Sequence, residues 1–477
     1  MSPRPASQAG QAWRLTRTPS AWDGQHRTEA LHQMGNIVDR WNAAYFDNRL
    51  SPGAVAALDP LNEANADAQA LADRAFRLMR VARIEPTDLP VLTAAIFSDA
   101  TKAVPSAWDG AVPPITTAGR HQKLDGYVAR NPWHRPVGEP VLVDLGCGFP
   151  PLTAIDSAAA LTGWRIIGVD PSFDRYLVYD NQGHYACFDE HEHLRYYQFG
   201  HVDPDSAATR RRFCHLMQRL LPLLPGEDTG QLAEVAHDGA RLVRNPLRRY
   251  ETTNLALIKG EVGALDAAGG VDVIRCMNVF MYFDQAFREH ALEWASRLFR
   301  PGGLFVCGAN WTHSTSSRYT VYQEQDHHLV PREFAFSIDN LRPLASAPWY
   351  ALHDDNVENL RNAEAVGIIR SDEAFRHRFD ERLDALLAQA GICRRGADGY
   401  LHNADDDTTL ADHDEYAPVL VEQLDREGFV DEAVTVLRRA GRAAWRNPAG
   451  HIAMHPVQPR PLAASVLGAV RDSVHDA

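Results

Sequence analysis

Residues 141–148 of the sequence are Val-Leu-Val-Asp-Leu-Gly-Cys-Gly, and after a helix-like run residues 165–170 are Arg-Ile-Ile-Gly-Val-Asp. The unbroken apolar run predicts a strand buried on both faces, and Gly146 and Gly148 follow at its carboxyl end. Glycines in such a turn let the backbone bend tightly and come close to a ligand, while Asp170 can accept hydrogen bonds from two ribose hydroxyls. The stretch therefore predicts a strand-turn-helix crevice for a ligand that carries a ribose.

The proline after the glycines decides between ribose cofactors. A dinucleotide fingerprint requires Gly-x-Gly-x-x-Gly, but the sixth position counted from Gly146 is Pro151, which has no N–H to help hold a pyrophosphate. The run Asp144-Leu-Gly-Cys-Gly-Phe-Pro150 instead resembles the first motif of the class I S-adenosylmethionine-dependent methyltransferases, acid-x-Gly-x-Gly-x-Gly, with proline in the last place. The resemblance implies S-adenosylmethionine as the cofactor, a molecule that has no phosphates to be held.

Three later stretches fit the same family in the same order. Val271–Asn278 has the pattern of a buried fourth strand, and residues 285–300 place apolar side chains on one helical face. Pro301-Gly-Gly then turns into the apolar run Leu304–Cys307, which predicts a fifth strand. Four elements in the right order are much stronger evidence than one glycine motif.

The predicted fold is a Rossmann-like, doubly wound α/β sheet of seven strands. Its third strand is predicted at Leu255–Lys259, with Glu261 just beyond the end. The two closing strands are predicted at residues 333–338 and 348–352, which alternate or cluster apolar side chains.

The resemblance also implies which residues contact the cofactor. The glycine turn and the end of the second strand should lie at the ribose, the acid after the third strand near the adenine, and the end of the fourth strand beside the methionine part. The expected cofactor-binding residues are Asp144, Gly146, Cys147, Gly148, Asp170, Pro171, Glu261, Met277 and Asn278.

Helical periodicity on both sides of this core predicts additional regions. We predict a disordered tail at residues 1–22, an N-terminal helical domain at 23–134, the methyltransferase core at 135–352 and a C-terminal helical extension at 353–477. The interval between the second and third strands is longer than one crossover helix requires, so an insertion is predicted at about residues 180–250. It should cover a substrate pocket.

Composition excludes some classes of function. The 48 basic and 62 acidic side chains give a net charge of -14, which disfavours nucleic acid as a partner. The six cysteines are far apart and form no Cys-x-x-Cys pair, which is typical of a reducing compartment, so a cytoplasmic protein is expected. No apolar run is long enough for a membrane span or a secretion signal. A small-molecule substrate is the expected partner, and the oligomeric state is left open.

Methyl transfer needs mainly alignment of the acceptor with the methyl group and exclusion of water. A general base is required only if the acceptor starts as a hydroxyl or a protonated amine. The candidates for chemistry are His313, which follows the fifth strand, and His184 and Tyr185 in the insertion. The acid- and histidine-rich runs at residues 189–193 and 324–328 lack the dispersed spacing of a closed metal site, so no metal is predicted.

The methyl acceptor is the open question. The stretch Asn278-Val-Phe-Met-Tyr-Phe-Asp284 resembles a motif of chemotaxis receptor methyltransferases, which esterify glutamate side chains. Against that acceptor, acids outnumber bases between residues 24 and 100, whereas a domain that docks on acidic receptor helices should be basic. The prediction is methyl transfer to a small-molecule oxygen or nitrogen, with a protein carboxyl group as the alternative and a catalytically silent cofactor-binding scaffold as the second alternative.

Overall fold

The computed structural model describes residues 36–64, 66–88, 116–198, 205–226, 230–263, 265, 270–342, 353–404 and 410–465. Its strands are β1 (Val141–Leu145), β2 (Arg165–Asp170), β3 (Tyr176–Tyr179), β4 (Tyr185–Phe188), β5 (Leu194–Gln198), β6 (Ala233–His237), β7 (Ala240–Arg244), β8 (Leu255–Lys259), β9 (Val271–Met277), β10 (Phe299–Ala309), β11 (Arg318–Gln325), β12 (His328–Phe336), β13 (Cys393–Arg395), β14 (Leu401–Asn403), β15 (Ala444–Arg446) and β16 (Ile452–Met454).

The α-helices of the described ranges are α1 (Ile37–Phe46), α2 (Pro52–Leu58), α3 (Ala66–Val81), α4 (Gln122–Arg130), α5 (Leu152–Ala160), α6 (Ser206–Leu220), α7 (Gln285–Ser296), α8 (Val357–Arg370), α9 (Glu373–Gln389), α10 (Leu410–Arg426) and α11 (Phe429–Arg439). None of the helices in these ranges has the length and apolar character needed to cross a membrane.

A mixed α/β architecture is built on one large sheet. In the described residues its strand order is β15-β16-β12-β11-β10-β9-β1-β2-β8. The strands β8, β2, β1, β9 and β10 are parallel neighbours. The chain runs outward from β1 to β2 and β8 and then crosses to β9 and β10 on the other side, so a switch point lies between β1 and β9. Ligands of open α/β sheets bind at the carboxyl ends of the strands at such a point.

Burial explains why the parallel strands form where they do. Every residue of β9 is buried, so its apolar side chains are covered on both faces of the sheet. The polar exceptions are paired: Asp272 accepts hydrogen bonds from Arg300 at 2.7 Å and from the backbone N–H of Val141 at 2.9 Å, and Arg275 binds carboxylates on neighbouring elements. Pairing is what makes a buried charge tolerable.

The prediction of seven strands is corrected by the structure, in which the large sheet has nine described strands. After β10 the chain returns at once as β11, antiparallel to β10, and then as β12. The sequence of β11 resembles a polar loop because it contains Arg318 and Thr320. In the structure these side chains are buried against polar groups of α8, with hydrogen bonds from Arg318 to Asn359 at 2.5 Å and from Thr320 to Glu358 at 2.7 Å. Residues 333–336 of the proposed closing strand fall within β12, and residues 348–352 lie outside the described residues.

The insertion between β2 and β8 forms a sheet of its own. Its strand order is β5-β4-β3-β7-β6, with antiparallel pairs throughout. The helix α6 packs on this sheet through Phe213 and Met217, which contact a buried cluster that includes Phe188 and Leu242. The insertion therefore has its own core, and its Tyr185 contacts Phe149, which lies between β1 and α5.

Helices from both ends of the chain share one hydrophobic cluster. Trp41 and Phe76 of the N-terminal helices belong to it, and so do Ile369, Phe379 and Leu437 of the C-terminal helices. A buried ion pair joins the same two regions of the chain, because Arg370 of α8 binds the carboxylate of Asp88, which follows α3, at 3.0 Å. The predicted domain boundaries remain a prediction, but the helices on the two sides of the core pack together.

The contact between α3 and α8 depends on Gly367. A Cβ added there would lie 2.3 Å from the carbonyl oxygen of Val81, a backbone atom that cannot move alone. We therefore expect Gly367→Ala to lower the free energy of unfolding by about 1 to 3 kcal/mol, as overpacking does. In chemical denaturation the matched helix variant Gly126→Ala should be neutral or slightly stabilising, since its Cβ would meet only the end of the flexible Arg130 side chain. Equal stabilities of the two variants would contradict the prediction.

Candidate functional site

The glycine turn lies at the carboxyl end of β1, beside the switch point. The backbone N–H of Gly146 donates to the carbonyl oxygen of Val169 in β2 at 2.8 Å, which ties the turn to the neighbouring strand. Gly146 and Gly148 have φ angles of +79° and +72°, which side chains disfavour. A Cβ on Gly146 would lie 2.3 Å from Cγ2 of Val279, so the approach of the β9 loop also requires glycine.

Asp170 ends β2 directly next to this turn. Its Oδ2 accepts the N–H of Gly148 at 2.7 Å, and its Oδ1 accepts the N–H of Ser172 at 2.9 Å and the Ser172 hydroxyl at 2.5 Å. Burial raises the pKa of the Asp170 carboxyl group, and the hydrogen bonds from Ser172 and Gly148 oppose that rise. Because the residue is 0% exposed, a ribose can reach this carboxylate only after neighbouring side chains move.

Asp144 lies in β1, two positions before Gly146, and its carboxylate is bound within the protein. Its carboxylate binds the guanidinium of Arg275 at 3.0 and 2.9 Å and accepts the hydroxyl of Thr153 at 2.7 Å. Arg275 also binds Asp125 at 2.6 Å, so one buried cation joins β9, β1 and α4. Burial alone would lower the pKa of Arg275, but the two carboxylates raise it, and the cation is retained. Both Asp144 oxygens are engaged within the protein, and a contact to a cofactor stays a prediction.

The other expected cofactor residues differ in exposure. The thiol of Cys147 is buried against Gly168, and burial raises its pKa well above the usual range, so it packs as a small apolar group. Met277 is buried at the end of β9. Pro171 and Glu261 are exposed beyond the ends of β2 and β8, at the same edge of the sheet as the glycine turn.

The ends of β9 and β10 are joined by two asparagines. The side-chain oxygen of Asn278 accepts the backbone N–H of Asn310 at 3.0 Å, and its amide nitrogen donates to the Asn310 side-chain oxygen at 3.1 Å. Asn278 has a φ angle of +59°, a conformation that asparagine tolerates better than most residues. Farther along the same loop, Asp284 caps α7 by accepting the N–H of Phe287 at 2.9 Å. The Asn278–Asp284 stretch thus shapes the loop that faces the glycine turn.

The three candidates for chemistry lie in different places. The exposed His313 packs on Gly119, with Nδ1 2.9 Å from where a Cβ on that glycine would be, near the end of β10. His184 lies in the β3–β4 turn and contacts Asp180 at 3.1 Å, and Asp180 also binds Arg212 of α6 at 3.0 Å. Both of these contacts lie within the insertion.

Tyr185 of the insertion contacts Phe149, which follows the glycine turn. Its hydroxyl donates to the carbonyl oxygen of Phe149 at 3.0 Å, and its ring packs edge-on against the Phe149 ring with centroids 5.7 Å apart. Burial raises the pKa of the Tyr185 phenol far above neutrality, so the hydroxyl remains protonated and acts as a donor. The strand β4 thereby covers the residues that follow Gly148.

Two residues at this edge were not predicted from the sequence. Asn310 follows β10, and the ring of His121, just before α4, contacts its side chain at 3.1 Å between Asn310 Nδ2 and His121 Nδ1. Nearby, the guanidinium of Arg120 lies over the Trp311 ring at 5.8 Å from the centroid. No spacing in the sequence marks these residues, because they meet only when the segment before β1 folds over the end of β10.

The acid- and histidine-rich runs form hairpin turns. Asp189 accepts the backbone N–H groups of His191 and His193, both at 2.9 Å. Glu324 accepts the backbone N–H groups of Gly302 and His327 at 2.9 and 2.8 Å. In the part of the chain that the structure describes, no group of three or more histidine, cysteine or acidic side chains is arranged to hold a metal ion.

Comparisons with known proteins give weak similarities. No protein-family model matches the sequence, and no curated protein is significantly similar. Among solved structures, the chain is similar to PKMT2 from Rickettsia typhi in complex with AdoHcy, with 13% identity and a TM-score of 0.21 over 41% of this chain and 26% of that chain. This chain thus spans only about a quarter of the PKMT2 length.

Two other similar structures are named as methyltransferases. The antibiotic-resistance methyltransferase Kmr is 17% identical, with a TM-score of 0.18 over 42% of this chain and 65% of that one. An O-methyltransferase family protein from Burkholderia thailandensis is 11% identical, with a TM-score of 0.20 over 85% of this chain and 73% of that one. Similarity at this level establishes neither fold nor function, so the functional assignment depends on the crevice itself.

Proposed function

We propose that this protein is an S-adenosylmethionine-dependent methyltransferase of the class I type. The observation that carries the proposal is the 2.7 Å hydrogen bond between the Gly148 N–H and Asp170, which joins a glycine turn to an acid at the carboxyl edge of a parallel sheet, next to its switch point. Pro151 leaves the turn without one of the N–H groups that a pyrophosphate would need. A ribose cofactor without phosphates fits this set of residues.

Each part of the crevice has a role in this proposal. Asp170, Pro171 and Glu261 would contact the ribose and the adenine, and Met277 and Asn278 would lie beside the amino-acid end. When bound, S-adenosylmethionine supplies an electrophilic methyl group. The protein would align an acceptor with it and exclude water, and the hydrogen bond from Tyr185 to Phe149 supports a closed cover.

The proposed acceptor is a small molecule with an oxygen or nitrogen nucleophile. The second candidate is a protein carboxyl group, favoured by the Asn278–Asp284 loop beside the glycine turn. Incubation with cofactor labelled in the methyl group separates them, because a base-labile label on protein would support the ester and a label in the small-molecule fraction would support the first candidate. The scaffold alternative requires cofactor binding without any label transfer.

Calorimetry tests the cofactor assignment directly. The wild-type protein should bind S-adenosylhomocysteine and not NAD, and Gly146→Ala should weaken the binding more than tenfold, because its Cβ would overlap Cγ2 of Val279. The control is Gly163→Ala, whose φ angle of +86° is equally unfavourable to alanine but whose Cβ would meet nothing within 4 Å. Tight binding of NAD, or no binding of S-adenosylhomocysteine by the wild-type protein, would refute the proposal.

A further inference from the structure

Asp174 has a buried carboxylate oxygen that no described group of the protein satisfies. Its Oδ1 binds the ammonium of Lys259, whereas its Oδ2 has no hydrogen-bond partner in the part of the chain that the structure describes. The side chain is 0% exposed, so bulk water does not reach this oxygen. Burial raises the pKa of Asp174, and the hydrogen bond and charge of Lys259 oppose that rise. Buried polar atoms are nearly always hydrogen-bonded, so an unmatched carboxylate oxygen requires an explanation.

Asp174 lies at the carboxyl edge of the main sheet, beside Asp170. Lys259 at the end of β8 is the register partner of Asp170 at the end of β2, and the N–H of Gly260 donates to the carbonyl oxygen of Asp170 at 3.3 Å. The ion pair with Lys259 therefore holds the Asp174 carboxylate next to the ends of both strands. In the proposed function this is the edge at which the adenosine part of the cofactor binds, with the adenine toward Glu261.

Two side chains of the insertion lie close to both acids. Burial raises the pKa of the Cys187 thiol in β4, and the charges of Asp174 and Asp170 raise it further. Burial also raises the pKa of the Tyr196 phenol in β5, with Arg195 opposing this rise and the same two acids adding to it. Coulomb interactions weaken with distance, so strands β4 and β5 pass near both carboxylates. The insertion sheet thus covers the two acids.

The two acids differ in how many hydrogen bonds they can still accept. The oxygens of Asp170 already accept three hydrogen bonds, from Gly148 and Ser172. Asp174 has one oxygen engaged by Lys259 and one oxygen unmatched within the described residues. An adenosine has three donor groups, the 2′ and 3′ hydroxyls and the 6-amino group, and a carboxylate oxygen can only accept. The unmatched oxygen of Asp174 is therefore suited to one of these donors.

We propose that Oδ2 of Asp174 accepts a hydrogen bond from the adenosine part of the cofactor. This inference rests on the proposed function and adds a further binding residue beside Asp170. Two donors have the same chemistry toward a carboxylate, a ribose hydroxyl and the adenine amino group, and the experiment distinguishes them. A buried water molecule that only fills the position is the competing explanation.

The substitution Asp174→Asn changes the one atom that matters. The Lys259 ammonium can only donate, so the amide oxygen of the variant faces Lys259 and the amide NH2 group takes the position of Oδ2. A donor thereby replaces the acceptor in a side chain of the same shape. Asp174→Ala is the second variant, because it removes both oxygens and leaves Lys259, which is 45% exposed, to be solvated by water.

The matched control is Asp425→Asn. Asp425 of α10 also has one oxygen on a cation, since Oδ2 accepts from Arg446 at 2.8 Å, and its Oδ1 lacks a partner within the described residues. Arg446 belongs to β15, at the opposite edge of the main sheet from β8. The same chemical change is thus made far from the proposed binding site.

Calorimetry measures the binding of S-adenosylhomocysteine and of its 2′-deoxy, 3′-deoxy and 6-deamino analogues, each of which lacks one donor. Both Asp174 variants should lose about 10- to 150-fold in affinity for S-adenosylhomocysteine, the value of a hydrogen bond to a charged group, and Asp425→Asn should stay within about threefold of wild type. For one analogue the difference between wild type and the Asp174 variants should vanish, because that analogue never makes the bond. The donor that it lacks is the partner of Asp174.

Two results would overturn the inference and leave the proposed function intact. The first is equal affinity of the wild type and both Asp174 variants for S-adenosylhomocysteine, as expected if only water occupies the position. The second is a loss of the same size for all four compounds, which a purely structural role of Asp174 would give. A wild-type protein that binds none of the compounds would instead refute the proposed function, and the inference with it.

Discussion

Replacing Arg275 with methionine is expected to lower the free energy of unfolding by about 3 to 5 kcal/mol, because it leaves buried carboxylates without their cation. Asp125 and Asp144 are each 2% exposed, and both bind this guanidinium. Methionine keeps much of the arginine volume, so the loss reports charge and hydrogen bonding more than a cavity. Chemical denaturation at pH 7 measures the difference.

The pH dependence of this variant has a definite sign. Burial already raises the pKa of Asp125, and the charge of Arg275 opposes that rise, so without the cation the folded-state pKa of Asp125 rises further above its unfolded value near 4. The variant is therefore penalised where the unfolded carboxylates are ionised, and the penalty shrinks as the pH falls below about 4. A difference between variant and wild type that is constant from pH 3 to pH 7 would contradict the electrostatic explanation.

An exposed arginine gives the matched control. Arg297, directly after the end of α7, pairs with Glu293 at 3.8 Å, and its side chain is 66% exposed. Arg297→Met should change the free energy of unfolding by less than about 0.5 kcal/mol, since exposed ion pairs contribute little. A loss as large as that of Arg275→Met would mean that any arginine-to-methionine change destabilises the protein, and the role of the buried pair would be refuted.

The parallel half of the sheet could be predicted because its strands are apolar on both faces. The strand Leu255–Lys259 was predicted at the bounds at which the structure has it, and Val271–Met277 differs from its prediction by one residue. Val271–Met277 is buried at every residue, as expected of a central strand, whereas Leu255–Lys259 lies at the edge of the sheet and is exposed at its last two residues. The glycine turn could be predicted together with β1, because the turn begins where β1 ends.

The antiparallel half and the cluster at its edge could not be predicted in this way. β11 carries Arg318 and Thr320 on a buried face, and their partners on α8 are about forty positions away in the sequence. His121 and Asn310 are 189 positions apart. Polar groups that satisfy each other at long range leave no periodic signal, since each of them looks like a surface residue in its local sequence.

The second large effect concerns Asp170. If the ribose of the cofactor binds this carboxylate, Asp170→Asn should weaken the binding of S-adenosylhomocysteine by about 1.5 to 3 kcal/mol, the value of hydrogen bonds to a charged acceptor. The side chain already accepts the Gly148 N–H and two donors of Ser172, so the substitution also disturbs the turn itself. Calorimetry must therefore be combined with denaturation of the same variants.

Ser172→Ala separates the two roles of Asp170. It removes the hydroxyl that donates to Oδ1 at 2.5 Å but leaves the carboxylate and its charge. We expect this control to lose stability and to keep its affinity for S-adenosylhomocysteine within about threefold, whereas Asp170→Asn loses both. If both variants bind the cofactor product as the wild type does, the ribose does not reach Asp170. The buried, fully hydrogen-bonded carboxylate would then serve only to hold the glycine turn closed.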